Sequence, residues 1–164
     1  MIKAIITDVD GVLTDGGMYW DSKGLAMKRF HTRDISAIHR LQAKGYKVFA
    51  ITSASDDITR RRLEYSKLDS FIMADRDWIV FNKLSSAFLL ADQYGFELSE
   101  AIYIGDDLMD IELMKACKLG ICPEDAAIEV QEIADIILMV KGGHGVMSNL
   151  YSMIDHIEDY ADAR

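Results

Sequence analysis

Asp8 and Asp10 stand two residues apart at the end of an apolar run, Ala4-Ile-Ile-Thr7, and Gly11 follows them directly. A glycine there can turn the backbone, so both carboxylates can converge on one ligand. One can attack an electrophile while the other handles protons. A second acidic set, Gly105-Asp106-Asp107-Leu-Met-Asp110, follows another apolar run, Ala101–Ile104. Laid beside the first strand, it brings Asp106 close to Asp8. Two carboxylates a few ångströms apart repel, and either one keeps a proton or a cation joins them. Hard oxygen ligands that retain waters suit Mg²⁺. Asp107 and Asp110 read equally well as acids favoured at a helix N-terminus. Thr52 closes the strand run Lys47–Thr52, and Ser53-Ala-Ser55 leads into a helix. Those hydroxyls serve either as an ordinary N-cap or, with free backbone N–H groups, as an anion cradle. Lys83 opens a further helix, where the macrodipole disfavours a cation unless an anion or solvent holds it.

The elements that must carry these residues alternate. Strand-like runs fall at Ala4–Val9, Lys47–Thr52, Ser70–Met73, Ala101–Ile104, Leu119–Cys122 and Ile136–Met139. Between them lie segments of helical period: Asp34–Lys44, Ser55–Leu63, Lys83–Tyr94, Leu108–Ala116, Ala126–Ile133 and Ser148–Tyr160. Such alternation predicts parallel strands joined by right-handed crossovers, an α/β three-layer α/β/α sandwich of Rossmann-like type. In sheets of this kind ligands bind at the C-terminal strand ends, where the acids lie. One stretch breaks the rhythm. Met18-Tyr-Trp20 and Ala26–Phe30 flank Asp21-Ser-Lys-Gly24, which reads as a β-hairpin spanning about residues 17–30. An isolated two-stranded hairpin is marginal in water, so a second subunit is expected to cover it; the plainer alternative is an edge decoration.

The 164 residues are expected to form one domain, 1–164, ending in a helix and tail over about 148–164. Half the residues are apolar and 27% charged, the balance of a soluble globular chain. A formal net charge of −9 argues against nucleic acid or an anionic membrane as partner, and requires local cations or a metal for any anionic substrate. No run approaches the roughly 18–20 apolar residues of a membrane span. Cys117 and Cys122 show no metal-ligand spacing and read as buried free thiols, in keeping with a cytoplasmic location.

Taken together and in order, the Asp8/Asp10 pair, Thr52, Lys83 and the Asp106-Asp-Leu-Met-Asp110 set resemble the haloacid dehalogenase-like phosphohydrolases, over nearly the whole chain. The resemblance implies a phosphoaspartyl mechanism. Asp8 is then the nucleophile and Asp10 the acid and base. Asp8, Asp106 and the Asp10 carbonyl would hold Mg²⁺, with Asp107 and Asp110 around those ligands, while Thr52 and Lys83 would bind the transferred phosphoryl group. The string Asp8–Gly16, the hairpin, Phe30-His-Thr-Arg-Asp34 and Gly142-Gly-His-Gly145 are similar to a subfamily without a cap domain. Its best-known members are 3-deoxy-D-manno-octulosonate 8-phosphate phosphatases. Relatives act on 9-phosphates of sialic-type nonulosonates, and similar non-catalytic domains are fused to acylneuraminate cytidylyltransferases. The subfamily implies a sugar-acid phosphate substrate and a homotetramer with the hairpin at the interface. It implies substrate contacts from Ser53, Arg33, Asp34 and Arg62; a solvated helix face is the other reading of Arg62.

This chain departs from the subfamily at several places. Ala54 stands where the octulosonate enzymes carry a substrate arginine and the sialic-type relatives a glutamate, Ile35 replaces a glycine, and His39 occupies another arginine position. Val146-Met-Ser-Asn149 replaces the usual Arg-Glu continuation, and a few extra residues occur around Asp75–Phe81. His31, His144 and His156 lack ligand spacing and read as ordinary polar positions.

Overall fold

The computed structural model describes residues 1–75 and 81–163. Most of the extra stretch 75–81 therefore lies outside the described residues. Six parallel strands form one sheet: β1 (Ala4–Thr7), β4 (Lys47–Thr52), β5 (Ser70–Met73), β6 (Ala101–Ile104), β7 (Leu119–Pro123) and β8 (Ile136–Leu138). Their order is β5-β4-β1-β6-β7-β8. Strand β1 is therefore flanked by β4 and β6, in register Thr7 to Ala50 and Thr7 to Ile104. The chain moves outward from β1 in one direction and then in the other, which opens a crevice at the C-terminal ends of these three strands.

Side-chain alternation divides the core. Ile5, Val48, Ala50, Ile102 and Ile104 face the layer of α1 (Thr32–Ala43), α2 (Asp57–Ser66) and α6 (Val146–Asp162). Ala4, Ile6, Phe49, Ile51 and Tyr103 face α3 (Lys83–Tyr94), α4 (Ile111–Ala116) and α5 (Ile128–Gln131). Every residue of β1 and β6 is buried, as parallel strands covered on both faces require. Among the described residues no helix is long and apolar enough to cross a membrane.

The hairpin is present as β2 (Tyr19–Asp21) and β3 (Gly24–Met27), an antiparallel pair apart from the main sheet. Met18, Tyr19, Trp20 and Met27 are more than half exposed in the single chain. Several boundaries moved from their expected places. Strand β1 stops at Thr7, because the chain turns as soon as Asp8 N has bonded Ile104 O. Helix α2 begins at Asp57 rather than Ser55, because Asp56 caps it through Thr59 N. The expected helix from Leu108 divides into a 3₁₀ turn, Leu108–Asp110, and a short α4. The acidic tail continues α6 to Asp162, held by buried Ile157 and Ala161.

Candidate active site

Three strand ends build the centre. Asp8 follows β1, and its backbone N donates to Ile104 O at 2.8 Å, so β1 and β6 remain locked up to the catalytic-looking acid. Gly11 adopts φ +82°, and a Cβ built on it would lie 1.9 Å from Asp106 Oδ2. Only glycine lets the Asp10–Gly11 turn and Asp106 occupy the same space. Carboxylate oxygens of Asp8, Asp106 and Asp110 all lie within 4.8 Å of one another.

Lys83 is nearly fully buried at the start of α3. Its Nζ lies 2.8 Å from Asp8 Oδ2 and 2.5 Å from Asp110 Oδ1. The helix end that disfavours a cation is thus offset by two carboxylates. Burial works against the ammonium, but Asp8 and Asp110 outweigh it and hold Lys83 above its usual range. Asp110 is wholly buried: Oδ1 also accepts from the Tyr103 hydroxyl at 2.6 Å, and Oδ2 accepts from the backbone N of Asp106 (2.8 Å) and Asp107 (3.0 Å). Four donors occupy its lone pairs, so Asp110 orients its neighbours and has no lone pair left for an ion. Asp107 is exposed and accepts from Leu108 N, a capping role.

The remaining acids are short of partners. Burial pushes the Asp8 carboxyl up to about 7, against the pull of Lys83 and with Asp110 adding to the rise. Burial, then the charges of Asp8 and Asp110, push Asp106 up to about 8. Asp106 Oδ1 is buried without a hydrogen-bond partner. A divalent cation satisfies that oxygen and removes the repulsion at once, so the donor set fits a hard oxygen-liganded metal.

Asp10 stands at the rim, with Oδ1 accepting from the Thr14 hydroxyl at 3.0 Å and Oδ2 from Lys28 Nζ at 2.7 Å. Thr14 Oγ itself accepts from Gly11 N and Gly16 N, so its single proton has only Asp10 to serve. Asp10 opens into a cavity of about 470 Å³, lined also by Ser53, Ala54, Asp56, Lys28 and an apolar wall of Trp20 and Leu25. Thr52 is buried at the end of β4, and its hydroxyl accepts from Ala54 N at 3.1 Å.

Arg33, Asp34 and Arg62 lie elsewhere in the single chain. Asp34 is buried, and its Oδ1 accepts from Ser148 N at 3.1 Å, capping α6; its Oδ2 has no partner. Burial pushes its carboxyl up to about 6. The Arg62 guanidinium lies 5.3 Å from the Phe30 ring centroid and lines a narrow cleft shared with Asp34. Exposed Arg33 lines a separate hollow with His144 and Asn149. A hollow of about 520 Å³ bordered by Lys3, Phe88, Glu97 and Glu100 lies at the N-terminal edge of the sheet, without a convergent reactive set. His31 caps α1 and His144 contacts a backbone carbonyl, the ordinary roles expected of them, and His39, at the family's arginine position, contacts the Ser66 carbonyl.

Sequence reasoning missed three contributors. Lys28, Thr14 and Tyr103 contact Asp10 or Asp110. Thr14 had a local signal, a hydroxyl four residues after Asp10 within a turn. Lys28 had none, since its other partners, Asp56 and Thr59, are remote in the chain.

Comparison with known proteins yields a consistent set. A haloacid dehalogenase-like hydrolase family profile matches residues 79–150. A 3-deoxy-D-manno-octulosonate 8-phosphate phosphatase from Haemophilus influenzae is 35% identical over 153 residues, 93% of this chain and 82% of the relative. The cobalt-bound structure of the Haemophilus influenzae phosphatase superposes with a TM-score of 0.88 at 33% identity, over 98% of this chain and 91% of that one. The Moraxella catarrhalis phosphatase, in complex with magnesium, phosphate and KDO, gives a TM-score of 0.86 at 28% identity, over 99% and 90%.

Proposed function

Since the chain belongs to the 3-deoxy-D-manno-octulosonate 8-phosphate phosphatase family of haloacid dehalogenase-like hydrolases, and is a phosphatase, we propose that it is a Mg²⁺-dependent enzyme that hydrolyses a sugar-acid phosphate monoester of the octulosonate 8-phosphate type through a phosphoaspartyl intermediate. The observation that carries this reading is the convergence of Asp8, Lys83 and the unpartnered Asp106 oxygen at adjacent strand ends.

In this reading Asp8 attacks phosphorus. The bond from phosphorus to the sugar oxygen breaks, its electron pair stays on that oxygen, and Asp10 supplies the proton. Water then attacks the aspartyl phosphate, Asp10 takes the water proton, and the Asp8 carboxylate leaves. Lys83 and the Thr52 hydroxyl bind the phosphoryl oxygens. Lys83 also offsets repulsion between the incoming anion and Asp8. Asp8, Asp106 and the Asp10 carbonyl would hold Mg²⁺, which supplies charge neutralisation on the phosphoryl group. Ser53 lines the leaving-group cavity. Arg33 and Arg62 would reach a substrate only across subunits, whereas Asp34 is buried as the cap of α6. The reading therefore includes a homotetramer that covers the exposed hairpin, and a cytoplasmic location in keeping with free Cys117 and Cys122.

Inorganic phosphate release from a panel of sugar phosphates, with and without EDTA, tests the proposal. We expect EDTA-sensitive turnover on octulosonate 8-phosphate, and its loss by at least about 10³-fold in Asp8→Asn. Activity indifferent to EDTA, or retained in Asp8→Asn, overturns the mechanism. Ala54 in the cavity wall carries neither the arginine of the octulosonate enzymes nor the glutamate of the sialic-type relatives, so the same panel includes the second substrate reading, a nonulosonate 9-phosphate. Metal binding without turnover on any phosphate would identify a non-catalytic oligomerisation domain instead.

A further inference from the structure

Lys28, the first residue after β3, has a side chain only 1% exposed. Its Nζ lies 2.7 Å from Asp10 Oδ2, 2.9 Å from Asp56 Oδ2 and 3.0 Å from the Thr59 hydroxyl. An ammonium has three protons and no lone pair, so these three partners satisfy it completely. Its anchor is rigid. Asp56 accepts from Thr59 N at 2.8 Å and from the Thr59 hydroxyl at 3.0 Å, at the N-terminus of α2, and Thr59 is buried.

We propose that Lys28 is the positioning residue for Asp10, a strut running from the capped end of α2 to the acid that protonates the leaving group. The inference rests on the role proposed for Asp10. Asp10 needs such support, because it lies on the turn beyond β1 rather than on a strand, and a quarter of its side chain meets solvent. Thr14 fixes one of its oxygens and Lys28 the other. Asp56 and Asp10 share one ammonium. Without that ammonium, two like charges face each other across a partly desolvated gap, and the mobile one, Asp10, swings away. A displacement of about 1 Å is enough to cost roughly 10²-fold.

A strut for a proton donor has a different signature from a strut for the hairpin. An alkyl phosphate needs its departing oxygen protonated, whereas p-nitrophenyl phosphate expels a weakly basic phenolate without help. The quantity to compare is kcat/KM, which reports transfer to Asp8 and not the later hydrolysis. In Lys28→Met, kcat/KM on octulosonate 8-phosphate is expected to fall about 10²-fold. On p-nitrophenyl phosphate it is expected to stay within about threefold, with Mg²⁺ affinity unchanged. Adding Lys28→Met to Asp10→Asn should cost nothing further. Asp56→Asn, which keeps the α2 cap while weakening the anchor, should show the same substrate-dependent loss, about tenfold. Equal losses on both substrates, or none, in either lysine or aspartate variant would refute the strut. If Asp10→Asn itself spares the sugar phosphate, the assigned acid is wrong and the inference falls with it. If Asp10→Asn is impaired while Lys28→Met is not, only the strut falls.

Discussion

Lys83 lies closer to Asp110 than to Asp8, at 2.5 Å against 2.8 Å, although Asp8 is the carboxylate proposed to attack phosphorus. The lysine is therefore held from behind and offered forward. Asp110→Ala is expected to destabilise the protein by about 3–5 kcal/mol, because it leaves a buried cation half-paired and exposes three donors without an acceptor. Tyr103→Phe removes one bond to the same carboxylate and should cost about 1.5–3 kcal/mol. Urea unfolding with an unchanged m-value checks both.

Gly11→Ala should abolish activity without unfolding the chain. The added Cβ would fall 1.9 Å from Asp106 Oδ2 at φ +82°, so Asp106 and the turn must part. A loss of at least about 10²-fold in kcat/KM is expected, together with loss of the rise in Tm expected when Mg²⁺ is added to the parent. An alanine variant that still responds to Mg²⁺ would contradict the crowded geometry.

The buried cap at the start of α6 sets a pH dependence. The Asp34 carboxyl rises from 3.8 to about 6, chiefly through burial, so the folded state binds this proton more tightly than the unfolded one. Its contribution is full below pH 3.8 and is lost as pH climbs through about 6. Asp34→Asn keeps an acceptor for Ser148 N but has no charge to bury. Its stability relative to the parent should therefore improve by up to about 3 kcal/mol between pH 4 and 7, read from paired denaturant titrations. A difference that does not vary with pH would show that the carboxyl is not strained by burial.

Lys67 closes α2 in the left-handed region, at φ 52°, the one non-glycine with positive φ among the described residues. Lys67→Gly should raise stability by about 0.5–1 kcal/mol. Gln42 bonds the Lys67 carbonyl, which glycine retains, and kcat/KM should not change. Thermal unfolding and a rate measurement suffice.

The periodic parts of this fold were legible from the chain. Strands β4, β5 and β6 and helix α3 begin and end where the apolar pattern placed them: β4 and β6 are buried almost throughout, β5 is partly buried at the sheet edge, and α3 buries one face. Helix α6 starts two residues before its expected Ser148, since its cap comes from Asp34 across the fold and no local residue announces it. The site divides in the same way. Asp8, Asp106 and Lys83 stand at strand or helix ends, and the topology alone brings them together. Lys28 and Tyr103 act through partners set by tertiary packing, and neither residue type nor spacing marks them. Solvation was a fair reading of Lys83 taken alone; only the juxtaposed carboxylates make it a buried ion pair.

The loop around Gly142 has a consequence for the order of assembly. A Cβ at Gly142 would meet Gly11 O at 2.0 Å, Gly143 N bonds Val12 O at 2.9 Å, and Ser148 N bonds Asp34. The turn that carries the acids is thus roofed by residues more than 130 positions later in the chain. Such distant pairing makes folding slow and late. On the ribosome the turn that carries Asp8 and Asp10 therefore stays without its roof until the chain has been made past Gly143.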